Sequence, residues 1–535
     1  MKKLLFSASI CLLSVAASAQ ESQWYLRDKT DNSAGISVER AYRELLKNRK
    51  PTPVLVAVID GGIDTTHEDL RRVLWVNPKE VAGNGKDDDK NGYVDDVHGW
   101  NFIGGKDGRN VSYETAEVTR LYTQLKPKYD GKSRASLKPA EQKEYDLYVK
   151  TKAEVEKNQA QYKAQYQGIS QFYEQYSTAV TTLKKALNVT KLDTTTLSKV
   201  SDTITNAALK RPVVGILRLL RQQGAADADA VTAELEKANE QLKARAEYNY
   251  NPDFDSRAIV GDNPNDLKER NYGNADIMGP RADHGTHVAG IIGADRTNAL
   301  GIMGIADAVQ IMGVRAVPDG DERDKDVANA IRYAVDNGAQ IINMSFGKDY
   351  SPQREVVEEA ERYALSKGVL LIHAAGNDGK DIDTAANYPS PRFLDGKEIP
   401  NVITVGASAE PNTNELVASF SNYGKQTVDV FAPGKDIYST VPGSKYENNS
   451  GTSMASPVVA GVAAVLKSYF PKLTYADLKR IIMQSATPYS TKVRKPETSD
   501  SVDFASLSKT GGIVNLYEAV KLAMAQEAGS GTKGK

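Results

Sequence analysis

The chain has 535 residues and a net charge of −1, so no surplus of charge points to nucleic acid or an anionic membrane as its main partner. Hydrophobic residues make up 40% of it, enough for a large core, and its length exceeds one ordinary domain. The single cysteine, Cys11, falls inside an N-terminal targeting pattern, so a mature chain would hold neither a disulfide nor a thiol nucleophile.

That pattern is Lys2-Lys3, an apolar run from Leu4 to Val15, and Ala17-Ser18-Ala19 before Gln20; it predicts a signal peptide over 1–19. No later apolar run has the length of a membrane span, and the expectation is a soluble exported protein, periplasmic or extracellular. Next, Gly35 to Tyr42 predicts a short helix capped by Ser37. Val54-Leu55-Val56-Ala57-Val58-Ile59 suits a parallel strand buried on both faces. It ends in Asp60-Gly61-Gly62, at the carboxyl end where open α/β sheets gather their functional groups. Asp87 to Asp96 follows the start of an EF-hand-type calcium loop, with Gly92 at the sharp turn and His98 where a bidentate Glu would stand. It predicts structural calcium on Asp87, Asp89, Asn91, Tyr93, Asp95 and Asp96, against the alternative of a solvated acidic turn.

From 107 to 250 the composition shifts to Gln, Lys, Glu, Ala and Tyr. Tyr145, Tyr148, Lys152, Val155, Gln159, Tyr162, Tyr166, Ile169, Tyr173, Tyr176, Val180, Leu183 and Leu187 alternate steps of three and four, a heptad seam about 64 Å long at ~1.5 Å per residue. Ala228, Val231, Leu235, Ala238, Leu242 and Arg245 repeat that spacing. A coiled-coil-like helical hairpin is therefore expected as an insertion over 107–250, its tyrosines used in packing and its surface available to an oligomer partner. Beyond it, Asp283 to Gly293 predicts a tightly packed helix starting at His284; without H-E-x-x-H, His284 and His287 do not predict zinc. Strands at Val309–Val314, Ile341–Met344, Val369–Ala375 and Val402–Val405 alternate with helices, which argues for a parallel sheet with helices on both faces. The α/β domain then comprises 20–106 and 251–525, with a short amphipathic helix at Tyr475–Met483 and a flexible tail over 526–535.

The most informative stretch is Asn448-Asn449-Ser450-Gly451-Thr452-Ser453-Met454-Ala455-Ser456-Pro457, followed by an apolar run to Leu466. Pro457 suits the first turn of a buried helix, and Ser453 would lie at the positive end of its dipole. On these residues alone Ser453 reads equally as a nucleophile or as an N-cap. Asp60, His284 and Ser453 add the order Asp, His, Ser, and Gly-Thr-Ser-Met-Ala is not the G-x-S-x-G elbow of α/β-hydrolases.

Val56 to Asp64, His284 to Gly290 and Gly451 to Pro457 resemble the aspartate, histidine and serine motifs of the subtilisin-like serine peptidases, the subtilase family. The resemblance covers about residues 35–105 and 255–525 and leaves the helical insertion outside. It implies a subtilisin-like α/β fold and an exported endopeptidase acting on peptides or proteins through an acyl-enzyme. Ser453 would be the nucleophile, His284 the general base, Asp60 its orienting partner and Asn377 the oxyanion donor. Ser345, Phe346 and Gly347 would line the substrate, and Asn387 would close the primary specificity pocket. A second, weaker metal site is implied at Asp69 with Asn298-Ala299-Leu300-Gly301. The alternative function is an idle subtilase-fold scaffold that binds partners through the insertion.

Overall fold

The computed structural model describes residues 23–28, 30, 35–410 and 415–531; the signal-peptide expectation over 1–19 lies outside them. The chain divides into two compact units: one runs up to Ser112 and resumes at Ser256, and the other is Tyr113–Asp255.

The first unit is built on a nine-stranded sheet. Its strands are β1 (Val54–Asp60), β2 (Gly99–Asn101), β3 (Val309–Arg315), β4 (Ile341–Met344), β5 (Leu370–Ala374), β6 (Val402–Ser408) and β7 (Val430–Pro433). A hairpin of β8 (Ile437–Val441) and β9 (Lys445–Asn449) stands apart from it, as does the pair β11 (Lys492–Arg494) and β12 (Ser501–Asp503). The short β10 (Thr487–Pro488) and β13 (Gly512–Ile513) complete the sheet in the order β10-β13-β7-β6-β5-β4-β1-β3-β2. All of its pairings are parallel except β10 with β13. The expected parallel α/β sheet is therefore present.

β1 shows why its sequence lacks alternation. Val54, Val56 and Val58 enter one core with the Asp283–Gly293 and Thr452–Tyr469 helices, whereas Ala57 and Ile59 enter the opposite core with the Asp324–Asp336 and Arg354–Ser366 helices. Both faces are covered, so both sets must be apolar. The Thr452–Tyr469 helix is buried almost all round, as its run of Val and Ala requires.

Three expectations are corrected within this unit. Ser37 does precede a helix, but it sits in the left-handed region (φ 63°) and its side chain makes no capping bond. Residues 526–531 continue the Leu516–Gly531 helix, which Leu516, Ala519, Val520 and Ala523 anchor in the core; 532–535 lie outside the described residues. Residues 107–112 belong with the sheet, where Val111 is buried beside Phe102 and Asn101 Nδ2 donates to Asn110 Oδ1 at 2.7 Å.

The second unit holds more than a hairpin. The long Pro139–Leu187 helix packs against both Glu117–Tyr129 and Ala228–Ala244, and Thr194–Thr203 packs against Ala207–Gln223. The last part of the heptad seam (Tyr176, Val180, Leu183) is buried with Leu197, Val213, Ile216 and Leu220. Those intervening helices carry apolar faces that need cover, and the seam supplies it; Tyr162, Tyr166 and Tyr173 remain half-buried.

Candidate active site

Register places the key groups at one edge of the sheet. Ile59 of β1 pairs with Met344 of β4, which pairs with His373 of β5. Asp60 and Ser345 each follow that row by one residue, and Asn377 lies just beyond β5. The carboxyl ends of neighbouring strands thus share one edge, where open α/β sheets gather their functional groups.

Asp60 is 3% exposed, and its Oδ1 accepts the Gly61 N–H at 2.7 Å. Its two oxygens lie 2.8 and 2.9 Å from Nδ1 of His284, in the first turn of the Asp283–Gly293 helix. The helix can come this near because Gly285 has no side chain: a Cβ there would stand 2.2 Å from the Gly62 carbonyl oxygen. Partial desolvation opposes the charged form of His284, but the Asp60 charge and hydrogen bond, aided by Asp283, leave its pKa above the ordinary value. The imidazole side chain is 45% exposed, so its remaining edge is open to a reactant.

The serine stretch resolves its own ambiguity. Gly451 occupies the N-cap, and Ser453 lies inside the first turn of the Thr452–Tyr469 helix, so it is not the cap. Pro457 stands inside this helix rather than at its start. Lacking an N–H, it leaves the Ser453 carbonyl without its helical donor. Ser345 Oγ donates to that carbonyl at 2.9 Å, and Ser453 Oγ donates in return to the Ser345 carbonyl at 3.1 Å. Asn343 Nδ2 donates to Ser345 Oγ at 2.9 Å, and Ser456 Oγ donates to Asn343 Oδ1 at 2.7 Å. The missing helical bond is thereby converted into a tie between Ser453 and the end of β4.

Asn377 is held from one side. Its Oδ1 accepts from Thr452 N at 2.8 Å and from Thr452 Oγ1 at 2.9 Å, while that hydroxyl accepts the Gly376 N–H at 3.0 Å. A Cβ built on Gly451 would lie 3.5 Å from Asn377 Nδ2 and 3.6 Å from Ser453 N. Two N–H donors therefore border the space that a glycine keeps clear, which is what a developing oxyanion needs. Phe346 and Gly347 follow Ser345 in the chain, and Lys348 and Tyr388 exchange backbone bonds at 3.1 and 3.0 Å. This pairing brings Asn387 beside Gly347 and Gly376.

The predicted metal residues separate. Asp87 and Asp89 cluster with Glu80, one carboxylate oxygen of each lying within 4.8 Å of the others, and Glu80 Oε2 is buried with no partner among the described residues. Asn91 Oδ1 instead accepts the Tyr93 N–H at 2.8 Å, and Asp95 accepts the N–H groups of Asn84 and Gly85 at 3.1 and 2.9 Å. Asp96 is fully buried, accepting from Asn77, Asn91 and Tyr333 at 2.9, 3.0 and 2.6 Å, and desolvation pushes its pKa up to about 6. Asp87 and Asp89 hold the same turn, each accepting the Asn91 N–H at 3.0 Å, so bonding within the turn and membership of the cluster coincide. At the second, weaker site, the Asp69 carboxylate accepts from Asn298 Nδ2, Ile302 N and Tyr446 Oη.

Several residues here were not singled out from the sequence. Thr452 fixes the Asn377 amide, and Glu80 joins the carboxylates from seven residues before Asp87. Arg315 is fully buried; its Nε donates to the Gly61 carbonyl at 2.7 Å, and its Nη atoms reach Asn101 Oδ1 and the Val111 carbonyl. Burial lowers its pKa to about 10. The available signal was a cation closing the apolar run Val309–Val314.

A parallel sheet that presents an acid, an imidazole and a helix-borne hydroxyl along one edge defines a class, that of subtilisin-like hydrolase folds. The Subtilase family model matches residues 52–511, and the chain belongs to that family. It is 43% identical over 218 residues to the Thermophilic serine proteinase of Bacillus sp. (strain AK1), covering 41% of this chain and 49% of that protein. It therefore spans about half the length of that relative. Thermitase of Thermoactinomyces vulgaris is 38% identical over 239 residues, 44% of this chain and 75% of the relative. A solved structure of an alanine variant of the protease domain of PatA shares 30% identity over 46% of this chain and 82% of that one, with a TM-score of 0.37.

Proposed function

We propose that this protein is an exported serine endopeptidase. The observation that carries the proposal is the His284 Nδ1 contact with both Asp60 oxygens, between residues 224 positions apart in the chain. Asp60 holds the proton on Nδ1, which leaves Nε2 as the base. The Ser453 hydroxyl turns from the Ser345 carbonyl, passes its proton to His284 Nε2 and attacks the peptide carbonyl carbon. Asn377 Nδ2 and the Ser453 N–H receive the oxyanion. Collapse expels the amine, protonated by His284, and water releases the acyl group by the same route. The backbone at Ser345, Phe346 and Gly347 pairs with an extended substrate by strand addition.

Two further parts rest on composition and on the carboxylate cluster. The pattern over 1–19 supports export. Glu80, Asp87 and Asp89 suit a hard divalent cation, and calcium would fasten the 80–96 turn to the sheet rather than take part in the reaction. The peptidase reading is tested with a fluorophosphonate: Ser453 of the folded protein should become labelled, and S453A should not. A folded wild-type protein that resists labelling and cleaves no peptide would exclude it.

A further inference from the structure

Asp60 and Arg315 are partners in the parallel register of β1 and β3, so their side chains leave the same face of the sheet. Beyond that row the chain turns at Gly61-Gly62. The Asp60 carbonyl still receives the Ala316 and Val317 N–H groups, at 3.0 and 3.2 Å. The next carbonyl, that of Gly61, receives Nε of Arg315 at 2.7 Å. Gly61 is therefore gripped at both ends, since its N–H is bonded to the Asp60 carboxylate at 2.7 Å.

The His284 helix rests on the same turn. Gly62 presents its carbonyl to the space left by Gly285, and the Asp64 N–H donates to Thr286 Oγ1 at 2.8 Å. The segment leading into that helix lies against the guanidinium itself: a Cβ built on Gly279 would stand 2.4 Å from Arg315 Nε and 2.8 Å from Cζ. The outer nitrogens reach Asn101 Oδ1 at 3.1 Å, the Ile103 carbonyl at 3.4 Å and the Val111 carbonyl. Every acceptor that Arg315 meets among the described residues is thus neutral, although burial leaves it charged at neutral pH. An apolar side chain of similar length would fill the space without burying a cation, but it would leave the Gly61 carbonyl bare.

We propose that Arg315 is a positioning residue for the reaction: through Gly61 it fixes the Asp60 carboxylate, and through the turn and Gly279 it fixes the approach of His284. The inference rests on the peptidase reading and adds to it a side chain that touches neither substrate nor the reacting atoms. The bond that matters most is the one from Nε. A turn free to rotate at Gly61 would carry the carboxylate with it, and a displacement of about 1 Å in such a constellation costs on the order of 10²-fold in rate.

Two variants separate the Nε bond from the charge. R315K keeps a cation but puts a methylene where Nε stands, whereas R315Q drops the charge and places an amide N–H there. The full-length proteins are compared on one peptide substrate, with active sites counted by fluorophosphonate labelling carried to completion and Tm measured alongside. In R315K, kcat per labelled site should fall by about tenfold or more, with KM within about twofold of the wild type. R315Q should recover most of that loss, even at a lower Tm. A merely structural arginine would give another pattern, a lower Tm in both variants with an unchanged kcat per labelled site. Wild-type kcat per site in R315K would overturn the proposal, as would R315Q falling as far as R315K; should R315Q fail to fold, R315K decides alone. Those outcomes leave the peptidase reading standing, whereas a wild-type protein that neither labels nor cleaves would overturn both.

Discussion

Gly451→Ala is the sharpest perturbation the site permits. The residue is extended (φ 161°, ψ 160°), a conformation open to alanine, and the nearest atom to the new Cβ is 3.5 Å away. Stability should therefore change by less than ~1 kcal/mol, and removing a glycine from a compatible position can even add ~0.4–1 kcal/mol through the unfolded chain. That nearest atom is Asn377 Nδ2 and the next is Ser453 N, the two donors proposed for the oxyanion. An oxyanion must sit about 2.7–3.1 Å from each donor, so the methyl group competes for its space. Losing one such donor costs on the order of 10²–10³ in kcat, and obstructing both should cost at least that much. The assay pairs kcat and KM on a chromogenic peptide with a melting curve for the same preparation. A large fall in kcat at unchanged Tm is expected. Near-normal kcat would refute the placement of the oxyanion between these donors, and a parallel collapse of Tm would show that the glycine serves folding instead.

Asn377→Ala should lower kcat by about 10²–10³ with little change in KM, because its amide is needed only as charge develops. His284 must be neutral to accept the Ser453 proton, so activity should rise with pH through a His284 pKa that lies above the ordinary histidine value. In D60N the charge that raises this pKa is gone, so the acid limb of the pH–rate profile should move to lower pH while the plateau falls; an unmoved limb would assign it to another group. Chelation should lower Tm through the Glu80–Asp87–Asp89 cluster, and E80Q should blunt that shift. A melting curve indifferent to the chelator would remove structural calcium.

Much of this was legible from the residues because the relevant signals are local. The run Val54–Ile59 ending in Asp60 marks a doubly covered strand and its reactive tip without any partner being known. The small-residue helix after His284 and the Val/Ala run after Ser453 announce their burial in the same way. What escaped depends on contacts between distant segments. Nothing near Pro457 reveals that Ser345 will take the carbonyl it leaves bare. The spacing of Asp87 to Asp96 is that of a cation loop, yet nothing in it shows that Asp96 will be buried against Tyr333 or that Glu80 will arrive from outside the motif. The heptad seam was visible, but not the two helices that use its final turns.

The separation of Asp60 from His284 by a second folded unit poses a physical question, since the site needs both within 2.8 Å. Chain continuity is not what holds them. The β8–β9 hairpin, which leads directly to Ser453, is bonded to the segment after Asp60: Gly443 N to Asp64 Oδ2 at 2.8 Å, His67 Nε2 to the Lys445 carbonyl at 3.1 Å, and Tyr446 Oη to Asp69 at 2.9 Å. The same hairpin is bonded to the helix of His284, with Ser439 Oγ and Thr440 Oγ1 donating to the His287 and Thr286 carbonyls at 2.8 and 2.7 Å. All three motifs therefore meet through one hairpin, whatever lies between them in sequence. Loop closure adds little opposition, because even a doubled flexible connection costs only ~0.6 kcal/mol. The Tyr113–Asp255 unit has its own buried cluster, so it behaves as a folded insert rather than as a slack loop. A subtilase site can thus carry a helical unit between its acid and its base because cross-strand and side-chain bonds set their distance, not the length of chain.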